Sequence, residues 1–204
     1  MSFAEFLAGL AGGSRIEQVA VAFGIAGVFL SVRQKILAWP VGIVNVLLYT
    51  IVFWEARLYA DMGLQVVYAV LSAYGWFQWV HGGANRTALP VSHVTPRAAA
   101  TLAVLAVTFA VALGFFLSRT TDASLPWLDS SLTAASLAAQ WMLTRKLLEN
   151  WLVWIVADAV YVGMFLHKDL HLTAVLYAIF LALAVMGWLQ WRRSLPRSDA
   201  VTGR

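Results

Sequence analysis

Seven stretches of this sequence are each long and apolar enough to be read as bilayer-crossing helices: Gln18 to Val32, Trp39 to Trp54, Ala60 to Val80, Ala98 to Leu117, Ser124 to Leu143, Trp151 to Leu166 and Leu170 to Trp191. A spanning helix needs about 20 mostly apolar residues, with about 17 to 25 tolerated. The connections are short and polar, and the longest, His81 to Arg97, carries Gly82, Gly83, Pro90 and Pro96. The composition agrees: 61% of the 204 residues are apolar and only 12% are charged. A soluble domain of this size carries about 25% charged residues, so most of this surface must meet lipid. A soluble enzyme, a disordered chain and a disulfide scaffold are excluded. With no Cys, thiolate catalysis and Cys-ligated zinc are excluded as well.

The net charge of +4 does not call for nucleic acid. Lys and Arg collect on the cytoplasmic side of membrane proteins. Arg15, Arg57, Arg119 and Lys168 fall on one side of the seven-span plan. Arg33, Lys35, Arg86, Arg97, Arg145, Lys146, Arg192, Arg193, Arg197 and Arg204 fall on the other. The plan therefore places the N-terminus outside and the C-terminus inside. Residues 1–14 read either as a short interfacial helix, with Phe3, Phe6, Leu7 and Leu10 on one face, or as a frayed terminus. They lack the basic leading region of a signal peptide.

The chain repeats itself. Shifted by 112 positions, Arg33 falls on Arg145, Trp39 on Trp151, Tyr49 on Tyr161 and Phe53 on Phe165. Gly75-Trp76-Phe77-Gln78-Trp79 falls on Gly187-Trp188-Leu189-Gln190-Trp191. From 33 to 79 no gap is needed, and 14 of the 47 pairs are identical. Leu and Val coincide cheaply in such a composition, but Trp, Gly, Gln and Arg in fixed register do not. The offset crosses four spans, so both copies enter the membrane from the same side. The expected architecture is an all-α membrane protein in a 3+1+3 parallel-repeat plan. It comprises a first three-helix repeat over 15–80, a linker span over 98–117, a second repeat over 124–191 and a cytoplasmic tail over 192–204. SWEET transporters share this plan, and substrate sites in repeat transporters lie near the midplane between repeats.

Polar groups at membrane depth face the bundle interior or a cavity. Asp61, Gln65, Tyr68, Ser72 and Trp79 form one face of the third span, and Asp129, Thr133, Ser136, Gln140 and Thr144 one face of the fifth. Asn45 and Tyr49 sit one turn apart in the second. Asn150, Trp151, Trp154, Asp158, Tyr161 and Phe165 stripe the sixth, and Thr173, Tyr177 and Trp188 share a face of the seventh. Each Ser and Thr has a competing role as a tie between helices. The candidate substrate residues are Asn45, Gln65, Tyr68, Gln140, Asn150, Trp151, Trp154, Asp158, Tyr161, Tyr177 and Trp188. Trp39, Trp54, Trp79, Trp127 and Trp191 lie near span ends and read as interface anchors. Asp158 is the one carboxylate deep in a span, fit to bind a cation, relay a proton or pair with a neighbouring donor. His167, Asp169 and His171 lack a fourth ligand and metal spacing, so no metal and no cofactor is expected. No span holds a His beyond His171 at the outer start of the seventh, which speaks against an intramembrane enzyme, and no charged ring or carbonyl filter of a channel is visible. Aromatic faces with neutral amides suit a flat ring bearing hydroxyls or a positive charge.

The run Arg145 to Trp154, continuing through Asp158 to the segment Leu170 to Tyr177 and the closing Gly187-Trp188-Leu189-Gln190-Trp191, resembles the PnuC family of vitamin transporters. So do Trp39, Gly42 and Asn45 in the first half, followed by Leu58, Tyr59, Ala60, Asp61, Gln65 and Tyr68. The resemblance covers about residues 15 to 195. It implies facilitated diffusion of nicotinamide riboside across the bacterial inner membrane, without a coupling ion, in a homotrimer. Phosphorylation by a cytosolic kinase would then trap the substrate. Relatives that carry thiamine, riboflavin or deoxynucleosides are implied alternatives, and a sugar carrier on the same plan is another. Asn150-Trp151 and Trp154 resemble the pattern in which a Trp stacks on the pyridine ring. His167 and His171 depart from the aromatics expected in that outer loop.

Overall fold

The computed structural model describes residues 15–55, 57, 59–121, 125–167 and 170–195. The described residues form seven α-helices: α1 (Arg15–Val32), α2 (Ala38–Glu55), α3 (Tyr59–His81), α4 (Pro96–Thr120), α5 (Pro126–Thr144), α6 (Asn150–His167) and α7 (His171–Arg193). A single 3-10 turn, Ala84–Arg86, lies in the loop before α4. The expected interfacial helix over 1–14 and the tail beyond 195 lie outside the described residues, and α7 itself runs on to Arg193. Five helices are long and apolar enough to cross a membrane on their own, namely α1, α2, α4, α6 and α7. The other two, α3 and α5, carry the Gln, Ser and Thr residues that turn toward the bundle interior.

Local chemistry sets the helix ends. Thr95 caps α4 by accepting from the Ala98 amide (3.3 Å), and Pro96 occupies the first turn, where no amide is needed. Gln34 ends α1 and Lys146 ends α5 with the same left-handed backbone, φ 53° and 49°. The Lys35 amide reaches back to the Leu30 carbonyl (2.9 Å) and the Leu147 amide to the Met142 carbonyl (3.0 Å). Glycine ordinarily fills this position. Here a Gln and a Lys take it, 112 residues apart, so the duplication extends to the backbone.

Packing follows the repeat. Within the first half α2 lies against α1 and α3; within the second α6 lies against α5 and α7. The halves meet where α3 packs on α5 and α7 packs on α1, two contacts exchanged by the 112-residue shift. Helix α4 packs against α5 and is apolar around its circumference; among its residues only Gly114 is buried. Val104, Leu105, Val107, Phe109, Phe115 and Phe116 are all exposed, as suits a helix facing lipid.

The densest core is a cluster of four tryptophans where the halves cross. Trp39, Trp79, Trp151 and Trp191 are 0–3% exposed. Trp39 meets Trp79 edge-to-face at 5.2 Å, Trp151 meets Trp191 the same way at 5.4 Å, and Trp79 and Trp191 join the two pairs at 5.8 Å. This corrects the reading of Trp39, Trp79 and Trp191 as interface anchors. Gly75 and Gly187 explain the burial. Trp39 lies so close against Gly75, and Trp151 against Gly187, that a methyl group at either glycine would overlap the indole. Bare backbone leaves each indole a slot. Trp54 and Trp127 stay on the surface, 61% and 53% exposed.

The loop after α3 is fastened over this end of the bundle. Its Leu89 amide bonds to the Trp79 carbonyl (3.2 Å), and Ser92 exchanges main-chain bonds with Lys146 and Leu148 (3.1 and 2.9 Å). Glu149 holds the loop through His93 Nδ1 (2.7 Å) and the Val94 amide (2.9 Å). Lys146 is buried with its ammonium 4.5 Å from the Trp79 ring centroid. That burial pushes its pKa below the ordinary lysine value.

Candidate functional site

Two adjoining cavities open between the halves, one of about 430 Å³ and one of about 350 Å³. Small-molecule pockets run roughly 300–1,000 Å³. The first lobe is walled by Gly24 of α1, Gly42, Asn45, Val46 and Tyr49 of α2, Gln65 and Ser72 of α3, and Leu176 of α7. The second is walled by Leu64 of α3, Ser136 of α5, Trp154, Asp158 and Tyr161 of α6, and Ala184 of α7. Tyr68, Gln140, Tyr177 and Phe180 line both, so the lobes share a wall. Trp39 bounds the first lobe and Trp151 the second, which places the tryptophan cluster at the base of both.

The lobes are duplicates that have diverged. The 112-residue shift carries Gly24 to Ser136, Gly42 to Trp154, Val46 to Asp158, Tyr49 to Tyr161 and Ser72 to Ala184. Gly42 leaves space in the first lobe where Trp154 fills the second with an indole. Val46 is apolar where Asp158 carries a carboxyl. A ligand between two equal halves would meet two equal faces; here it meets two chemically different ones.

Aromatic rings dominate the second lobe. Tyr161 and Tyr177 lie 4.5 Å apart between ring centroids, Phe165 backs both at 6.0 and 5.2 Å, and Phe180 meets Tyr177 edge-on at 5.9 Å. These contacts lock the rings in place, because stacked and edge-to-face pairs are favourable geometries. Gln65 and Gln140 make no side-chain hydrogen bond with any described residue, which leaves both amides available to a ligand. Asn45 is partly committed. Its side-chain amide donates to the Ala20 carbonyl (2.6 Å), tying α2 to α1 while it lines the first lobe.

Of the residues expected at the site, the fold gathers Asn45, Gln65, Tyr68, Gln140, Trp151, Trp154, Asp158, Tyr161 and Tyr177 around these lobes. Two lie elsewhere. Asn150 is fully buried at the start of α6 and donates to the Leu147 carbonyl (2.6 Å), capping its own loop. Trp188 packs against the tryptophan cluster and lines neither lobe. Tyr49, Phe53, Ser31 and Phe180 line the cavities without having been singled out as site residues. Only Tyr49 carried a signal, its one-turn spacing from Asn45. Ser31 also returns a hydrogen bond to Gly27 (3.0 Å), which in sequence looks like ordinary packing. The side chain of Asp61 lies outside the described residues.

A sequence profile described as nicotinamide mononucleotide transporter matches residues 14–193. The chain belongs to the PnuC family. As a PnuC protein it is a multi-pass membrane transporter. It is 28% identical over 206 residues to the nicotinamide riboside transporter PnuC of Escherichia coli (strain K12), a match covering 89% of this chain and 86% of that one. It is 26% identical over 181 residues to the riboflavin/roseoflavin transporter RibM of Streptomyces davaonensis, covering 86% and 83%. Its fold is similar to the crystal structure of the vitamin B3 transporter PnuC. The TM-score is 0.69 at 23% identity, with 93% of this chain and 88% of that chain covered.

Proposed function

We propose that this protein carries nicotinamide riboside across the bacterial inner membrane by facilitated diffusion, with one site at the two-lobed cavity. The observation that carries this reading is the cavity itself, with a ring-lined second lobe beside the two uncommitted amides of Gln65 and Gln140. Trp154 and the Tyr161–Tyr177 pair offer flat faces to a pyridine ring. The amides, with Asn45 and Ser136, offer donors and acceptors to a carboxamide and a ribose. All seven helices cross the membrane in the 3+1+3 plan, including α3 and α5, whose polar faces turn inward. The N-terminus lies outside, and the ends carrying Arg33, Arg145 and Arg192 lie in the cytoplasm. Movement is a rocking of one three-helix half against the other. The assembly is a homotrimer, and phosphorylation of the substrate in the cytosol makes uptake one-way.

Proteoliposomes loaded with unlabelled nicotinamide riboside test this reading. Labelled substrate should enter, exchange by counterflow and equilibrate without accumulation. Accumulation driven by a proton or sodium gradient alone would overturn the uncoupled mechanism. A second reading, riboflavin as cargo, has a specific support in the similarity to RibM. Competition by riboflavin but not by nicotinamide riboside would select it.

A further inference from the structure

Asp158 is 4% exposed and lines the second lobe. Among the described residues its carboxyl makes no hydrogen bond and no ion pair. The residues lining both lobes include no Lys, Arg or His, so no cation of the protein faces it there. Its neighbours around the lobe are Trp154, Tyr161 and Tyr177. The equivalent position in the first lobe is Val46, so the repeat does not require a polar group at this depth. A buried carboxylate without a partner is unfavourable, so the group either holds a proton or meets a compensating charge, and a cationic ligand supplies the second. Aromatic faces around it attract cations in their own right.

We infer that Asp158 is the specificity residue that selects a ligand whose flat ring bears a fixed positive charge, with Trp154, Tyr161 and Tyr177 enclosing that charge. This rests on the cavity being the vitamin site proposed above and adds the residue that reads the charge. An uncharged ring of the same shape should gain nothing from the carboxylate.

The test is isothermal titration of the full-length protein in detergent. The ligands are nicotinamide riboside, its reduced dihydropyridine form (the same shape without the charge), thiamine and riboflavin. Wild type should prefer the charged riboside over the reduced one. Asp158→Asn should lose about tenfold to a hundredfold in affinity for the charged form and keep its affinity for the reduced form. Asp158→Glu should regain part of the preference, and unchanged melting of the ligand-free variants separates this from misfolding. Equal binding of both forms by wild type, or equal losses of both in Asp158→Asn, overturns the inference. If thiamine binds in an Asp158-dependent way and neither riboside does, charge selection stands and the nicotinamide reading falls. If the charged riboside binds without regard to residue 158, the reading stands and charge selection falls. If riboflavin binds and neither cation does, both fall.

Discussion

Trp191 donates its indole N–H to the main-chain carbonyl of Ser31 (3.1 Å), and also to that of Val32 (3.2 Å), joining the end of α7 to the end of α1. The same shift of 112 residues turns this into the bond from Trp79 to the Leu143 carbonyl (3.0 Å), which joins α3 to α5. Each half thus clasps the other by the last tryptophan of its third helix. The acceptors lie in the last turns of α1 and α5, where the Ser31 and Leu143 carbonyls also take the Gln34 and Lys146 amides (3.0 and 3.1 Å). The clasps sit at the base of the cavity, so the halves are fixed to each other where they are closest.

Removing one clasp while keeping an aromatic ring should weaken the fold without emptying the site. Trp79→Phe and Trp191→Phe each leave a buried carbonyl with one bond fewer, at a cost of about 0.5–1.5 kcal/mol for the bond itself. The two variants should lower the melting temperature in detergent by similar amounts. A drop confined to one of them would show that the clasps are not equivalent.

Glycines beneath the tryptophans should be intolerant of a methyl group. In Gly187→Ala the new Cβ would fall 2.5 Å from Trp151 ring atoms, and in Gly75→Ala it would overlap the Trp39 ring. Overpacking of this kind costs about 1–3 kcal/mol. Gly163→Ala, whose Cβ meets nothing within 4 Å, should be neutral or slightly stabilising. Thermal melts of the three variants settle the contrast, and equal behaviour would contradict the slot geometry.

Trp154 and Trp79 should separate binding from stability. Trp154 lines the second lobe, so Trp154→Ala should weaken nicotinamide riboside binding by roughly tenfold or more, the scale of one lost stacking face. Its melting temperature should shift little. Trp79→Ala should lower the melting temperature strongly, because it opens a hole in the four-tryptophan core. Titration and melting of both variants are the measurements; a folded Trp154→Ala with wild-type affinity would exclude that ring from the site.

Glu149 should hold the loop over the base of the bundle without adding much to stability. Its carboxylate binds both His93 and the Val94 amide at the partly exposed edge. Glu149→Ala should change unfolding free energy by no more than about 1 kcal/mol. Hydrogen exchange at the Ser92 and Val94 amides should nevertheless rise, because their partners Lys146 and Glu149 define the docked loop. Unchanged exchange there would mean that the loop docks through its apolar side chains alone.

The sequence by itself determined the helices and the duplication. A run of apolar residues admits few structures other than a helix in lipid, since backbone groups must be satisfied within the segment. Fixed-register Trp, Gly and Gln pairs recorded the repeat regardless of how the halves pack. Part of the cavity lining, chiefly its polar side, was also legible, because Gln65, Tyr68, Gln140 and Asp158 are polar where polarity is costly. What only the tertiary structure decided was which way the aromatic residues face. Trp39, Trp79 and Trp191 sit near helix ends, where sequence position alone matches an interfacial anchor. They are buried because α3 crosses α5 and α7 crosses α1 at those ends, and because Gly75 and Gly187 open slots for two of the rings. The same crossing turned Asn150 and Trp188 away from the cavity and brought Phe180, otherwise one more apolar residue, to its wall. Those outcomes depend on contacts between different helices, made by residues tens to more than a hundred positions apart, which helical periodicity within one segment does not encode.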